Sequence, residues 1–147
     1  MRRKASAWIL FPAAGLALTS LPAAAQAPVA VDPGVRRLVE AELGGDLDDA
    51  RTMNGQSARL RLQSVDLNGD GRSDVIALME HPFSCGSRGC AVHVFVVEGS
   101  RLRRVGDILA HEVTPTATST AGWRDLSVNG QRWTMQNSQY RASRIGH

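Results

Sequence analysis

Apolar and polar positions alternate through most of the chain beyond residue 30, and the period of the alternation changes once. Val35, Leu38, Val39 and Leu43 recur at helical spacing. Asp32 offers an N-cap, Pro33 suits the first turn and Gly44-Gly45 supplies a stop, so the pattern predicts one helix over 33–43. Its apolar stripe is narrow, so it covers one side of something else. From residue 58 the period is two. Ala58, Leu60 and Leu62 alternate with Arg59, Arg61 and Gln63, as in a half-exposed strand. Val75–Met79 is an unbroken apolar run, the pattern of a strand buried on both faces, and Ala91–Val97 is similar, β-branched and aromatic around His93, which predicts a central strand. Glu98-Gly99-Ser100 reads as a turn into Leu102–Val105, and Ile108–Val113 either continues that strand or opens another. Trp123–Val128 and Gln131–Met135 flank Asn129-Gly130, a dipeptide that favours the type I′ hairpin turn. Thr114–Thr120, with Pro115, reads as an edge or crossing loop, and the tail from Asn137 as frayed after Tyr140. The expected fold class is α+β: a single antiparallel sheet of about five to seven strands with one N-terminal helix packed on it.

The first stretch of the chain follows a different logic. Arg2, Arg3 and Lys4 form a charged n-region, Ala7–Leu21 an apolar core and Ala25-Gln26-Ala27 a small-residue cleavage site. Pro12 and Gly15 interrupt the apolar run, which favours a cleaved signal peptide over a retained membrane anchor. The expected organisation is a signal peptide over 1–27 and a single domain over 28–147, located in the periplasm or secreted. Removing the leader changes the charge. The 17 Lys and Arg residues exceed the 14 Asp and Glu by three, and the three cations of the leader account for the whole excess. The remaining chain is formally neutral, which removes the argument for nucleic-acid or anionic-lipid binding.

Cys85 and Cys90 are the only cysteines and flank Gly86-Ser87-Arg88-Gly89. An even number in an oxidising compartment predicts a disulfide, and the two glycines let so small a ring close. Candidate chemistry lies in Val65-Asp66-Leu67-Asn68-Gly69-Asp70-Gly71-Arg72-Ser73-Asp74-Val75. Side-chain oxygens fall at Asp66, Asn68 and Asp70, Gly71 allows a sharp turn, Arg72 can offer its backbone carbonyl, and Asp74 follows. Calcium takes six to eight hard oxygen ligands in a flexible shell, and a loop with donors at positions 1, 3, 5, 7 and 9 wraps an ion in this way. Three carboxylates against a divalent ion leave the site near charge balance. A polar β-turn alone would account for Asn, Gly and Asp, but not for the alternate oxygens together with Asp74. The helix-loop-helix calcium site closes with Glu at position 12, where this chain has Ala77 within an apolar strand.

The segment from Asp66 to Asp74 instead resembles the strand-loop-strand calcium loops of FG-GAP and VCBS-type extracellular modules, D-x-[DN]-x-D-G-x-x-D. Those families repeat the loop as propeller blades; this chain carries it once, which excludes a propeller. A wider resemblance rests on Asp66 to Arg72, Cys85 to Cys90 and Gly122-Trp123-Arg124-Asp125-Leu126. That order is similar to a group of small exported proteobacterial proteins with no assigned activity. The resemblance implies single-domain export and no known reaction.

Other signals are weaker. His81, Cys85, Cys90 and His93 form a conceivable zinc or copper set, but a disulfide cannot donate thiolates. Ser84 and Ser87 lack a G-x-S-x-G elbow, no His-x-x-x-His pair is present, and Asp107 and His111 have no identifiable partner, so no enzyme is expected. Arg101, Arg103 and Arg104 read as a solvated strand end. Trp123 and Trp133 could make a carbohydrate platform, although core packing is the commoner fate of such residues. Two functional expectations follow. The first is an exported, non-catalytic calcium-binding module with a protein or envelope partner. The alternative is an inhibitor of a lysozyme-like hydrolase, with Arg88 on the disulfide-closed loop 85–90 entering a carboxylate-lined cleft.

Overall fold

In the computed structural model, which describes residues 30–144, two helices precede nine strands. The signal peptide and its cleavage site lie outside the described residues. Helix α1 spans Pro33–Glu42, and the Asp32 carboxylate accepts hydrogen bonds from the Gly34 and Val35 N–H groups, as the capping pattern requires. The chain does not stop at Gly44-Gly45. Helix α2 follows at once over Gly44–Asn54, beginning with the glycines and ending at Gly55 in the left-handed conformation. Its apolar positions are sparse, which hid it from the periodicity; Asp46 in its first turn and Arg51 in its last suit the helix dipole. The helical part is therefore two helices, set inside the chain from Pro33 rather than at its N-terminus.

The strands form two antiparallel sheets, not the single sheet expected. The first holds β1 (Arg59–Val65), β2 (Asp74–Glu80), β3 (Cys85–Gly86), β4 (Gly89–Glu98) and β5 (Arg101–Ala110). The second holds β6 (Val113–Thr120), β7 (Trp123–Val128), β8 (Gln131–Gln136) and β9 (Gln139–Ala142) in sequential order. Strand β4 pairs with β2 and β5 and so is central, as its β-branched and aromatic composition implied. Ile108 belongs to β5, which runs to Ala110 before β6 begins at Val113. Thr114–Thr120 is strand rather than loop, and it is an edge strand whose register with β7 breaks between Pro115 and Ser119. Strand β9 continues past Tyr140 to Ala142, where fraying was expected. Strand β9 pairs with β8 and buries Tyr140, because the second sheet uses that ring as core.

The layering explains the continuous runs in β2 and β4. On one face of the first sheet, Val75, Ala77, Phe95 and Val97 pack against Val39 and Leu43 of the helical segment. On the other, Ile76, Val92, Val94 and Val96 pack against Leu126, Val128 and Tyr140 of the second sheet. Residues of both parities along β2 and β4 are thus buried, and no polar alternation survives. Among the described residues no helix is long and apolar enough to cross a membrane.

Candidate functional site

The loop between β1 and β2 sits where the two sheets join. Leu67, which is fully buried, inserts its side chain into the inter-sheet core. Its carbonyl accepts the Arg124 N–H of β7 at 2.7 Å, and its own N–H donates to Asp74 Oδ2 at 3.0 Å. Asp74 Oδ1 accepts the Val97 N–H of β4 at 2.9 Å. Asp74 thus ties the loop to the first sheet, while Leu67 ties it to the second.

The exposed half of the loop is folded around its own oxygens. Asp66 accepts the Gly69 N–H at 2.8 Å and the Gly71 N–H at 3.0 Å. Asn68 Oδ1 accepts the Asp70 N–H at 3.0 Å, and Asp70 Oδ1 accepts the Arg72 N–H at 2.8 Å. Gly69 and Gly71 have φ of 75° and 82°, a conformation open to glycine at little cost. These bonds use only part of the acceptor capacity, because each carboxylate oxygen carries two lone pairs. The donor set is entirely hard oxygen, which suits calcium. Among the described residues no three His, Cys, Asp or Glu side chains form a metal-sized group by themselves, so an ion here would also draw on the Asn68 amide and the Arg72 carbonyl.

Asp74 carries the electrostatic strain of the loop. Burial pushes its pKa up; the N–H groups of Val97 and Leu67 oppose the shift, and the charges of Asp70 and Asp66 add to it. The net rise means that Asp74 gives up its proton less readily in the folded protein than in the unfolded chain. The part of its stabilisation that is linked to the shifted proton is full below the ordinary value of 3.8 and is lost as pH rises through the raised value.

The disulfide-closed loop forms as expected. Cys85 and Cys90 are bonded, so neither sulfur is a thiolate that could join His81 and His93 around a metal. His81 bonds instead to Asn54, and His93 Nδ1 to Asp107 Oδ1 at 2.7 Å. Arg88 is exposed on the loop. His111 Nε2 lies 3.2 Å from the Ser87 carbonyl and braces the loop from the β5–β6 connection. Below it a cavity of about 320 Å³ has an aliphatic floor of Ile76, Leu78 and Val92, with Arg61 and Glu112 on its wall.

Sequence reasoning missed three features. Leu67 reads as a spacer between ligands, yet it is the peg between the sheets. Asp125 reads as part of a strand, yet it is fully buried, holding Arg132 Nη2 at 2.7 Å and Thr118 Oγ1 at 2.7 Å. Its sequence signal was a carboxylate beside Leu126 in a strand. The His93–Asp107 pair was invisible because the two residues lie on different strands. Comparison with known proteins finds no matching family model, no matching curated protein and no matching solved structure.

Proposed function

We propose that this chain is an exported, non-catalytic calcium-binding domain in which the ion braces the junction of the two sheets. The observation that carries this reading is the position of the loop. Its buried half is bonded to both sheets through Leu67 and Asp74, and its exposed half gathers Asp66, Asn68 and Asp70. Asp66, Asn68 and Asp70 would hold calcium with side-chain oxygens, Arg72 with its carbonyl, and Asp74 with the lone pairs left by its backbone bonds. The ion would supply positive charge beside three carboxylates and offset the Asp70 and Asp66 charges that add to the burial-driven rise of Asp74. Affinity belongs to the class of extracellular modules, with Kd of roughly 10⁻⁴ to 10⁻³ M. Calorimetric titration with calcium, together with melting in calcium and in EDTA, tests the reading. A hundredfold excess over Kd stabilises by about 2.7 kcal/mol. Magnesium should do less, because it demands tight octahedral geometry. Absence of both heat and a melting shift at millimolar calcium would refute the assignment.

A second reading, inhibition of a lysozyme-like hydrolase, is favoured by one feature: Arg88 is exposed on a loop closed by a disulfide and braced by His111. Such a loop loses little entropy on entering a carboxylate-lined cleft. Inhibition assays against several lysozymes, with Arg88→Ala as control, test it.

A further inference from the structure

The two sheets are closed along one side and open along the other. On the side of β5 and β9, Gln139 Nε2 donates to the Arg104 carbonyl at 3.1 Å, and Tyr140 lies beside Gly106. On the other side the outermost strands are β1 and β6, and among the described residues no hydrogen bond joins them. The gap there holds the cavity of about 320 Å³. The strand registers put its side chains on one inward face. Arg61 stands opposite Leu78, Gln63 opposite Ile76, and Val92 opposite Leu78 on the next strand. Directly paired residues of an antiparallel ladder share a face, and Ile76 and Val92 belong to the inter-sheet core, so all of them face the second sheet. Val113 closes the cavity from β6, paired with Val128 of the same core. Glu112 has the opposite parity, and its N–H and carbonyl are both bonded to Asn129, so it lends backbone to the wall rather than charge.

The cavity joins an aliphatic floor to a cationic rim. Ile76 and Val92 are buried, while Leu78 between them is only half-buried. Arg61 is 66% exposed at the mouth and bonds Glu80 Oε1 through Nη1 at 3.0 Å. Glu80 stands opposite Arg59 in the register, so one carboxylate serves two guanidinium groups and the rim keeps a surplus positive charge. Gln63, on the same strand and face, is less exposed, and its side chain makes no hydrogen bond among the described residues. The floor asks for an apolar body, and a guanidinium with unspent N–H groups asks for a carboxylate at its end. A cationic ligand would meet the surplus positive charge. A purely apolar one would desolvate Arg61 and Gln63 with no compensating bond. The volume lies near the lower end of the range of about 300–1,000 Å³ for small-molecule sites, which suits one short chain or ring. We infer that this cavity binds a small apolar monocarboxylate, its body on Ile76, Leu78 and Val92 and its carboxylate on Arg61, with Gln63 alongside. Bonds from the His111 and Glu112 N–H groups to Asn129, and from His111 Nε2 to the Ser87 carbonyl, preform the wall, so little order is lost on binding. The site does not depend on an ion in the 66–74 loop.

Calorimetric titration of the full chain with hexanoate, octanoate and phenylacetate, each below its micellar concentration, tests the inference, with octylamine and octanol as comparators. At least one of the three acids should bind saturably, and octylamine and octanol should bind roughly tenfold or more weakly than octanoate. Arg61→Gln should weaken binding of the acid roughly tenfold or more. It should leave the melting temperature close to wild type, because the ion pair it removes is exposed. Arg61→Lys keeps the charge and should recover part of the affinity. Leu78→Trp fills the cavity and should abolish binding, with circular dichroism checking that the fold is kept. The absence of saturable binding by all three acids at millimolar concentration would overturn the inference. So would octylamine binding as tightly as octanoate, affinity unchanged in Arg61→Gln, or binding retained by a folded Leu78→Trp.

Discussion

Asp70 and Asp74 lie in one loop, yet the structure gives them different work. Asp70 is on the exposed half and bonds only the Arg72 N–H and the Asn68 amide within the loop, whereas Asp74 is fully buried and holds N–H groups from two segments. Asp70→Ala should remove most of the calcium-dependent rise in melting temperature and leave the EDTA-treated protein close to wild type. Asp74→Ala should destabilise in calcium and in EDTA alike, because two buried N–H groups lose their acceptor at about 1–3 kcal/mol each. Parallel melts of the two variants check this, and equal losses for Asp70→Ala in both buffers would reduce the loop to a plain turn. Asp125 supports a pH prediction. Burial alone would raise its pKa, but hydrogen bonds from Thr118, Thr120 and Arg132, with the Arg132 charge, outweigh burial and lower it. Its stabilisation is therefore present above the ordinary value of 3.8 and is lost as pH falls through the depressed value. Asp125→Asn should cost about 1–3 kcal/mol at neutral pH, and denaturant titrations should show that gap narrowing as pH drops below 3.8.

At the scale of elements, the hairpin of β3 and β4 is set by one glycine as much as by its disulfide. Gly89 has φ of +104°, and a Cβ there would lie 2.0 Å from the Ala110 backbone of β5. No flexible side chain can yield in that contact. Gly89→Ala should therefore cost about 4 kcal/mol or more in denaturant unfolding, the range reserved for such backbone clashes. Reduction of Cys85–Cys90 should cost only about 2 kcal/mol, because the closed loop is short. A larger loss on reduction than on Gly89→Ala would reverse this ranking. The Asn129-Gly130 turn shows a case where local chemistry sufficed: both residues have positive φ, 49° and 82°, as type I′ requires. Helix α2 shows the opposite case. Its two opening glycines read locally as a stop, and packing of Leu43 and Leu47 against the first sheet overrides them.

At the scale of the whole molecule, the fold is a helical layer on a sheet that packs in turn on a second sheet, with the 66–74 loop at the seam. The proposed export belongs to this scale. The expected outcome is a periplasmic or secreted protein beginning at Pro28, checked by intact mass and N-terminal sequencing of a periplasmic fraction. A chain retained in membranes and starting at Met1 would contradict it.

The helix from Pro33, the strand cores, the Asn-Gly hairpin and the Cys85–Cys90 bond were legible from residue order, because each depends on neighbours within a few positions. The oxygen-bearing spacing of Asp66, Asn68, Asp70 and Asp74 was legible for the same reason. The division into two sheets was not. Apolar runs report that both faces of β2 and β4 are buried, but not whether helix or sheet covers them. Nor could spacing reveal that Leu67 bridges the layers, that His93 clamps Asp107, or that Arg132 shields Asp125. Those contacts join residues on different strands or segments, and only the closing of the sandwich brings them together.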